Sequence, residues 1–478
     1  MVQLRAPRAS LYTLGCKVNQ YETRQTAEAL LRRGYRLVPF GQPADVCIVN
    51  TCSVTNEADA KSRAAIRRAR RSGDDPLVVA TGCYAEIAPE EVSALPGVAA
   101  VARNADKPRL AEIVDDLLQR SGRLLFPLEG MPDDPLAPPD PDASELITLL
   151  AEGKGTLART RAVIKIQDGC NHFCSFCIIP YARGRLRSRP AADVLVEARE
   201  LTARGYRELV LTGICLGDYG DERAPADARR RGSGREKRDP LAALLEELAA
   251  IPGVERLRMS SLDPADVSDD LIEAIASIPQ VCRHLHLSLQ AGDEEVLRRM
   301  RRRCTAAQFR DLVERIYARV PEAGLTCDVI AGFPGESEAQ FAETARLCAE
   351  ARFLKIHAFP YSPRAGTTAA RWPDDVPPPE KHRRVQELVC LSDRLGWEFA
   401  ARYLGEEVEV LVEHPDRRAG LFTGLTDNYL RVFFEGEDVL RGQRVRVAVT
   451  SVGPGSASGE ISQAASLMEP AYGIIGVR

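Results

Sequence analysis

The spacing of apolar residues changes character three times along the chain. From Leu11 to about Leu118, short apolar runs ("LYTLG", "YRLVPF", "DVCIVN", "PLVVATG") alternate with amphipathic stretches of helical period. That alternation predicts a parallel sheet with helices on its faces, an open α/β domain over residues 1–125. The pattern then breaks in "FPLEGMPDDPLAPPDPDASE", and the Pro- and Asp-rich segment 126–160 reads as a connector. Six further strand candidates follow: "AVIKIQD", "ELVLTG", "RLRMS", "HLHLSLQ", "LTCDVIAG" and "FLKIHAFPYS", with helical patterns between them. Six β/α units in residues 161–400 predict a partial (β/α)6 barrel, since a complete eight-unit barrel takes about 250 residues. The interruption "DERAPADARRRGSGREKRD" (221–239) is too charged and broken to pack, and is expected to be a surface insertion. Past residue 401, alternating runs such as "EEVEVLVE" and "QRVRVAVTSV" predict a small antiparallel β-barrel ending near 465, with 466–478 as a tail. The fold class is therefore multidomain α/β with a β-barrel appended.

Composition narrows the class. With 478 residues, 45% hydrophobic and 28% charged, the chain is that of a globular protein of two to four domains. All but eight of its 64 basic residues are arginine, which a coding bias explains as readily as RNA contact does, and the formal charge of −4 points to no partner. "MVQLRAPRAS" has no signal-peptide core, and no run approaches the ~20 apolar residues that span a bilayer. The expected location is cytoplasmic, with no membrane partner. Thiols stay reduced there, so clustered cysteines point to metal or catalysis rather than to disulfides.

Thirteen cysteines are present, and six fall into two groups of three. Cys16, Cys52 and Cys83 each end a predicted parallel strand, and such ends line one crevice. Cys170, Cys174 and Cys177 lie together in "CNHFCSFC", on the loop after the first barrel strand, at the face where barrel active sites are built. A disulfide uses two thiols and a closed tetrahedral site four. Three thiolates on a four-iron, four-sulfur cluster leave one iron open to a substrate group. A zinc site with His172 as fourth ligand is the competing reading of the local trio, but His172 sits between the cysteines, where it would be strained into one tetrahedron. Cys47, Cys215, Cys282, Cys304, Cys327, Cys348 and Cys390 read as small buried filler.

The CxxxCxxC spacing on that loop resembles the radical S-adenosylmethionine superfamily, with Phe176 as the aromatic before the last cysteine. "LTGICLGDYG" with Gly213, "RMSSLDP" with Ser260 and Ser261, and "DVIAGFPGE" with Ile330 and Gly332 fit the family's cofactor-contacting segments in order. Adding the first trio, the chain from about Leu11 to Ser451 resembles the methylthiotransferases. "TLGCKVNQYE", "VNTCSVTNEAD", "CNHFCSFCIIPYARGRLRSRP", "HLHLSLQAGDEEVLRRMRRR" and "FPYSPRAGTTAA" resemble the branch acting on N6-threonylcarbamoyladenosine in tRNA, the MtaB type. The sister branches carry "GCQMN" and "GCPKN" where this chain has Gly15-Cys16-Lys17-Val18-Asn19.

The resemblance implies two [4Fe-4S] clusters, on Cys170, Cys174 and Cys177 and on Cys16, Cys52 and Cys83. It also implies S-adenosylmethionine as cofactor, the tRNA anticodon loop as partner, an electron donor such as flavodoxin or ferredoxin, a monomer, and a C-terminal TRAM barrel. The implied reaction puts a methylthio group on carbon 2 of the modified adenine 3′ to the anticodon, with two S-adenosylmethionine per turnover. Alternatives are isopentenyladenosine tRNA, a ribosomal-protein aspartate, or a non-enzymatic iron–sulfur or zinc RNA-binding module. Basic runs at Lys61–Arg71, Arg298–Arg303 and Arg183–Arg189 are candidate phosphate contacts. Tyr429, Phe433 and Phe434 favour packing over base stacking. His284, His286 and Asp263 suggest no acid–base pair and are expected to be structural.

Overall fold

All pairings of the first sheet are parallel, and helices return the chain across its faces after every strand but the short second one. The computed structural model describes residues 6–73, 75–122, 160–220, 238–416 and 420–463. The sheet is built from β1 (Arg8–Thr13), α1 (Lys17–Arg32), β2 (Arg36–Leu37), β3 (Val46–Thr51), α2 (Asn56–Arg70), β4 (Leu77–Gly82), α3 (Cys83–Ile87), α4 (Pro89–Ser93), β5 (Val98–Val101) and α5 (Leu110–Arg120), in the order β2-β1-β3-β4-β5. The central strand "VCIVNT" is apolar on both faces because both are covered. Leu11, Ile48 and Val79 meet α1 and α5 on one side, and Cys47, Val49 and Val78 meet Ile66 and Ala69 of α2 on the other.

The second body comprises β6 (Arg161–Lys165), β7 (Gln167–Asp168), α6 (Ile179–Arg183), β8 (Arg187–Ser188), α7 (Ala191–Ala203), β9 (Glu208–Thr212), α8 (Pro240–Ala249), β10 (Arg256–Met259), β11 (Ser261–Leu262), α9 (Asp269–Ser277), β12 (His284–Gln290), α10 (Glu294–Arg299), α11 (Ala306–Arg319), β13 (Gly324–Ala331), α12 (Glu338–Glu350), β14 (Lys355–Pro360) and α13 (Pro378–Ala401). Parallel sheets β10-β9-β6 and β11-β12-β13-β14 meet where β10 runs into β11 at Ser260, giving the six strand positions of a partial barrel. Period two divides the two faces. Leu285, Leu287, Cys327, Val329 and Ile356 point outward into the helices, while His284, His286, Thr326, Asp328 and His357 line the lumen. A complete barrel fills that space with branched apolar side chains. Here it is polar and partly open to solvent: His357 is exposed and Phe359 is 45% exposed.

The third body, β15 (Glu407–Pro415), β16 (Leu421–Leu425), β17 (Arg431–Glu435), β18 (Arg444–Gly453) and β19 (Ser456–Gln463), closes as β15-β16-β17-β19-β18. Four of its pairings are antiparallel, as expected, but β17 and β19 run parallel. Its Thr426–Leu430 turn stops the lower end of the lumen. Arg258 donates to the Thr426 and Asp427 carbonyls at 3.0 and 2.9 Å, and Arg256 to that of Leu425 at 2.9 Å. The Asn428 carbonyl comes so close to Gly324 that a Cβ there would lie 1.9 Å from it. Tyr429 stacks on His284 at 4.1 Å and Phe434 is buried, so both pack rather than await bases.

Strands β5 and β19 are not among the runs read individually from the sequence: β5 is a half-exposed edge with no alternation, and β19, inside the residues assigned to the small barrel, follows β18 after a tight turn. Nearly all of the connector 126–160 and of the insertion 221–239, and the whole tail 466–478, lie outside the described residues. Among the described residues no helix is long and apolar enough to cross a membrane.

Candidate functional site

The first three thiols meet because their strands are neighbours. Cys16 caps α1 just beyond β1, Cys52 follows β3, and Cys83 opens α3 directly after β4. Glycine makes the convergence possible at two points. Gly15 has φ +91°, and a Cβ there would stand 2.7 Å from the Cys52 sulfur; Gly82 has φ +95°, and a Cβ would stand 2.3 Å from the Thr51 carbonyl. Burial, then the charges of Cys83 and Cys16, push the Cys52 thiol up to about 11, and burial likewise raises Cys83. Three bare thiolates are therefore disfavoured here, and a cationic core bound at three corners relieves both penalties. Cys16 is exposed, which leaves one side of the trio open.

The second trio lies on the loop between β7 and α6. Its backbone is pinned from three sides: Cys170 N–H donates to Gly184, Ser175 N–H to Met300, and Ala369 N–H to the Ser175 carbonyl. Arg302 reaches the Cys174 sulfur at 3.5 Å. Burial and the neighbouring thiols push Cys177 up to about 12. Among the described residues, the donor groups compact enough for a single ion, within 4.8 Å of one another, are Cys170–His172–Cys215 and His172–Cys215–Asp218–Asp266. Neither trio is such a group. Their sulfurs are spread wider than one zinc ion spans, which fits a multi-iron core, and His172 does not complete a tetrahedron with Cys174 and Cys177.

His172 instead bonds Asp218 at 2.7 Å and lies 3.4 Å from Cys215, while remaining within reach of Cys170. Burial opposes its charge, but Asp218 and Cys170 push it up to about 10. Cys215, expected to be filler, is thus in contact with the loop that carries the second trio. Behind it lies a buried ionic layer that the sequence did not reveal. Asp263 meets Arg302 at 2.8 Å, and Arg303 meets Asp266 at 2.6 Å. Asp263 is therefore an anchor for the arginines that back the loop. Burial and the charges of Asp218 and Asp263 push Asp266 up to about 6.

A second concealed network joins the first domain to the barrel. Glu22 on α1 receives Arg183 at 2.6 Å and Lys165 at 3.0 Å, together with Lys107, and Arg183 also bonds Asn19. Arg183 follows the second trio in sequence, yet its charge and hydrogen bond act on Cys83 of the first. One side chain therefore spans from one cysteine loop to the other. Arg364 makes a similar link near Cys52, donating to Ser53 and Asn56 at 2.7 Å each and pairing with Asp59. Glu22 and Arg364 stand inside "KVNQYE" and "FPYSPRAGTTAA"; nothing in their local spacing announces a partner so distant.

The remaining expected contacts fall around the lumen mouth. Phe176 packs edge-on to Phe333 at 6.5 Å, and Gly213 fits against Gln167, whose side-chain oxygen would lie 2.7 Å from a Cβ there. Ser260 is buried with an unpartnered hydroxyl, and Ser261 pairs in register with His286. Ile330 is half-buried, and Gly332, at φ +73°, donates its N–H to Glu336 at 2.7 Å. Two basic runs are corrected. Arg302, Arg303 and Arg183 are spent in buried ion pairs, because each carries a carboxylate partner from another element, while Arg185 and Arg187 stay exposed.

Residues 164–348 match the Radical SAM superfamily, residues 8–102 the Uncharacterized protein family UPF0004, and residues 401–462 the TRAM domain. The chain is 39% identical over 448 residues to the threonylcarbamoyladenosine tRNA methylthiotransferase MtaB of Bacillus subtilis strain 168, covering 93% of this chain and 94% of that one. The namesake from Chlamydia pneumoniae is 39% identical, covering 84% and 86%. A tRNA-2-methylthio-N(6)-dimethylallyladenosine synthase from Carboxydothermus hydrogenoformans is 33% identical, covering 92% and 96%. Among solved structures, the radical S-adenosylmethionine methyltransferase TsrM of Kitasatospora setae superposes with a TM-score of 0.52 at 15% identity over 77% of each chain, a likeness of fold alone.

Proposed function

Since the chain belongs to the threonylcarbamoyladenosine tRNA methylthiotransferases of the MtaB type, we infer that it replaces hydrogen on carbon 2 of that base by a methylthio group. The observation that carries this reading is Arg183, which ties the loop of one cysteine trio to the other and so sets both on one interdomain space. Cys170, Cys174 and Cys177 are the proposed ligands of one [4Fe-4S] cluster, and Cys16, Cys52 and Cys83 of the other. When bound, the first would supply reductive cleavage of one S-adenosylmethionine, and the second would present the sulfur that takes its methyl group from another.

The chain's own residues do the rest. Phe176, Gly213, Ser260, Ser261, Ile330 and Gly332 border the place where S-adenosylmethionine would lie, and the unpartnered Ser260 hydroxyl is a ready contact for it. Phe359 offers an exposed ring on the lumen wall on which an adenine can stack. Helix α1 roofs the space, and the Glu22 network holds it to the barrel, limiting water at the reacting carbon. A base reaches that space only when splayed out of its loop, which a single-stranded anticodon loop permits. Two S-adenosylmethionine per turnover, a flavodoxin or ferredoxin as donor, a monomer and a cytoplasmic location complete the proposal. The 39% relatives act on the threonylcarbamoyl base and the 33% relative on the dimethylallyl base, which favours the former.

Nucleosides from tRNA of a strain lacking the gene, and of the same strain complemented, test the reading. Methylthiolated threonylcarbamoyladenosine should vanish in the first and return in the second. Its persistence in the deletion strain, or the loss of methylthiolated isopentenyladenosine instead, would overturn it.

A further inference from the structure

Helix α10 ends on the loop of the second trio. Arg301, at φ +57°, takes the left-handed position after the helix; its N–H closes on the Arg298 carbonyl at 3.0 Å, and that of Arg302 on the Leu297 carbonyl at 2.9 Å. The reversal parts two neighbouring arginines: Arg301 is exposed, whereas the side chain of Arg302 is only 6% exposed. The Met300 and Arg299 carbonyls accept from the Ser175 N–H at 3.0 Å and the Ser175 hydroxyl at 2.8 Å, so the end of α10 and the cysteine loop are fastened together.

The Arg302 guanidinium donates through Nη2 to the Ser288 carbonyl at 2.6 Å and pairs with Asp263 at 2.8 Å. Those two contacts would hold the side chain by themselves. Through Nη1 it also donates to the Cys174 sulfur at 3.5 Å. A charge that arginine does not lose in a protein is thereby set against a proposed cluster ligand. Asp263 offsets part of that charge, and it also meets Arg303 at 3.6 Å, His172 at 3.9 Å and the Ala265 N–H at 3.1 Å.

The potential of an iron–sulfur cluster follows net charge and hydrogen bonding at its sulfurs. Reduction adds one negative charge to the thiolate-bound core. A fixed cation at one of its sulfurs favours the reduced form, and a carboxylate beside that cation opposes it. We propose that Arg302, acting through Cys174 and balanced by Asp263, sets the reduction potential of the cluster on the second trio. This rests on the function proposed above, in which that cluster takes one electron from a low-potential donor and gives it to S-adenosylmethionine. The guanidinium keeps its proton throughout, and no bond of the chain is made or broken.

Anaerobic redox titration of the reconstituted full-length protein, followed by electron paramagnetic resonance at one fixed pH, reads the midpoint. The signal lost in Cys170→Ala and kept in Cys83→Ala belongs to the second trio. Arg302→Gln should lower its midpoint and Asp263→Asn should raise it, each by about tenfold or more in the reduction equilibrium, which is about 59 mV for one electron. Arg302→Lys should fall between wild type and Arg302→Gln. A midpoint does not depend on how many chains carry the cluster, so partial loading or lower stability leaves the reading intact. Opposite shifts from the two halves of one ion pair mark an effect of charge, whereas a merely structural pair, broken from either side, would disturb the loop alike. Unmoved midpoints in both variants, or shifts of the same sign, would overturn the assignment. If Cys170→Ala loses no signal, the second trio holds no cluster, and the proposed function itself is what fails.

Discussion

Arg183 and Glu22, 161 residues apart in sequence, form a buried ion pair with Nη1 2.6 Å from Oε1. One belongs to the loop region of the second cysteine trio and the other to the helix that begins at the first. Arg183→Met should cost about 1.5–3 kcal/mol, since it removes the charge-assisted hydrogen bonds to Glu22 and leaves that carboxylate to Lys107 and Lys165. Denaturant unfolding measures the loss. Arg183→Lys should recover part of it, without the two-pronged bond to Asn19 and Glu22.

The same pair fixes an acid limit. Burial opposes ionised Glu22, yet Lys107, Arg183 and Lys165 hold its carboxyl well below the usual carboxylate range. A depressed folded value means that the pair's stabilisation is present above the ordinary carboxylate pKa near 4 and is lost as pH falls through the lower folded value. The midpoint of unfolding should fall with acidification below about pH 4 more steeply in wild type than in Glu22→Gln. Parallel curves would contradict this.

Gly82→Ala should damage the first trio. The added methyl would meet the Thr51 carbonyl at 2.3 Å on a backbone of φ +95°, a strain of about 1–3 kcal/mol before any repacking. Iron analysis after anaerobic reconstitution should find the first site depleted and the second retained.

Tyr429→Ala should loosen the C-terminal barrel. It removes the stack on His284 and the contact with Arg258, whose guanidinium carbon is 5.2 Å from the ring centroid, at a cost of about 2 kcal/mol. Limited proteolysis near residue 402 should accelerate in the variant.

These relationships mark the limit of what the chain discloses by itself. Periodicity revealed the two parallel α/β bodies and the small barrel, because each buried face repeats at short range. The cysteines were legible because strand ends and a CxxxCxxC loop are local features. Asp263 with Arg302, Glu22 with Arg183, and Arg364 with Asp59 were not, since a buried ion pair leaves no periodic trace and its partners come from distant segments. Reading "RRMRRR" as an RNA contact fails in part for that reason: two of its five arginines, Arg302 and Arg303, are consumed inside the protein. Cys215 resembled filler because its significance lies in a contact with His172 made through the fold.

If two cysteine trios hold two clusters on one interdomain space, breaking one trio must remove half of the iron and all of the product. Iron and acid-labile sulfide, counted in anaerobically reconstituted wild type and in Cys83→Ala, test it most directly when each sample is also given S-adenosylmethionine, dithionite and a threonylcarbamoyladenosine stem-loop. Wild type should carry about eight irons and give a methylthiolated product, and the variant about four irons and no such product. About four irons in wild type, or undiminished product from Cys83→Ala, would contradict it.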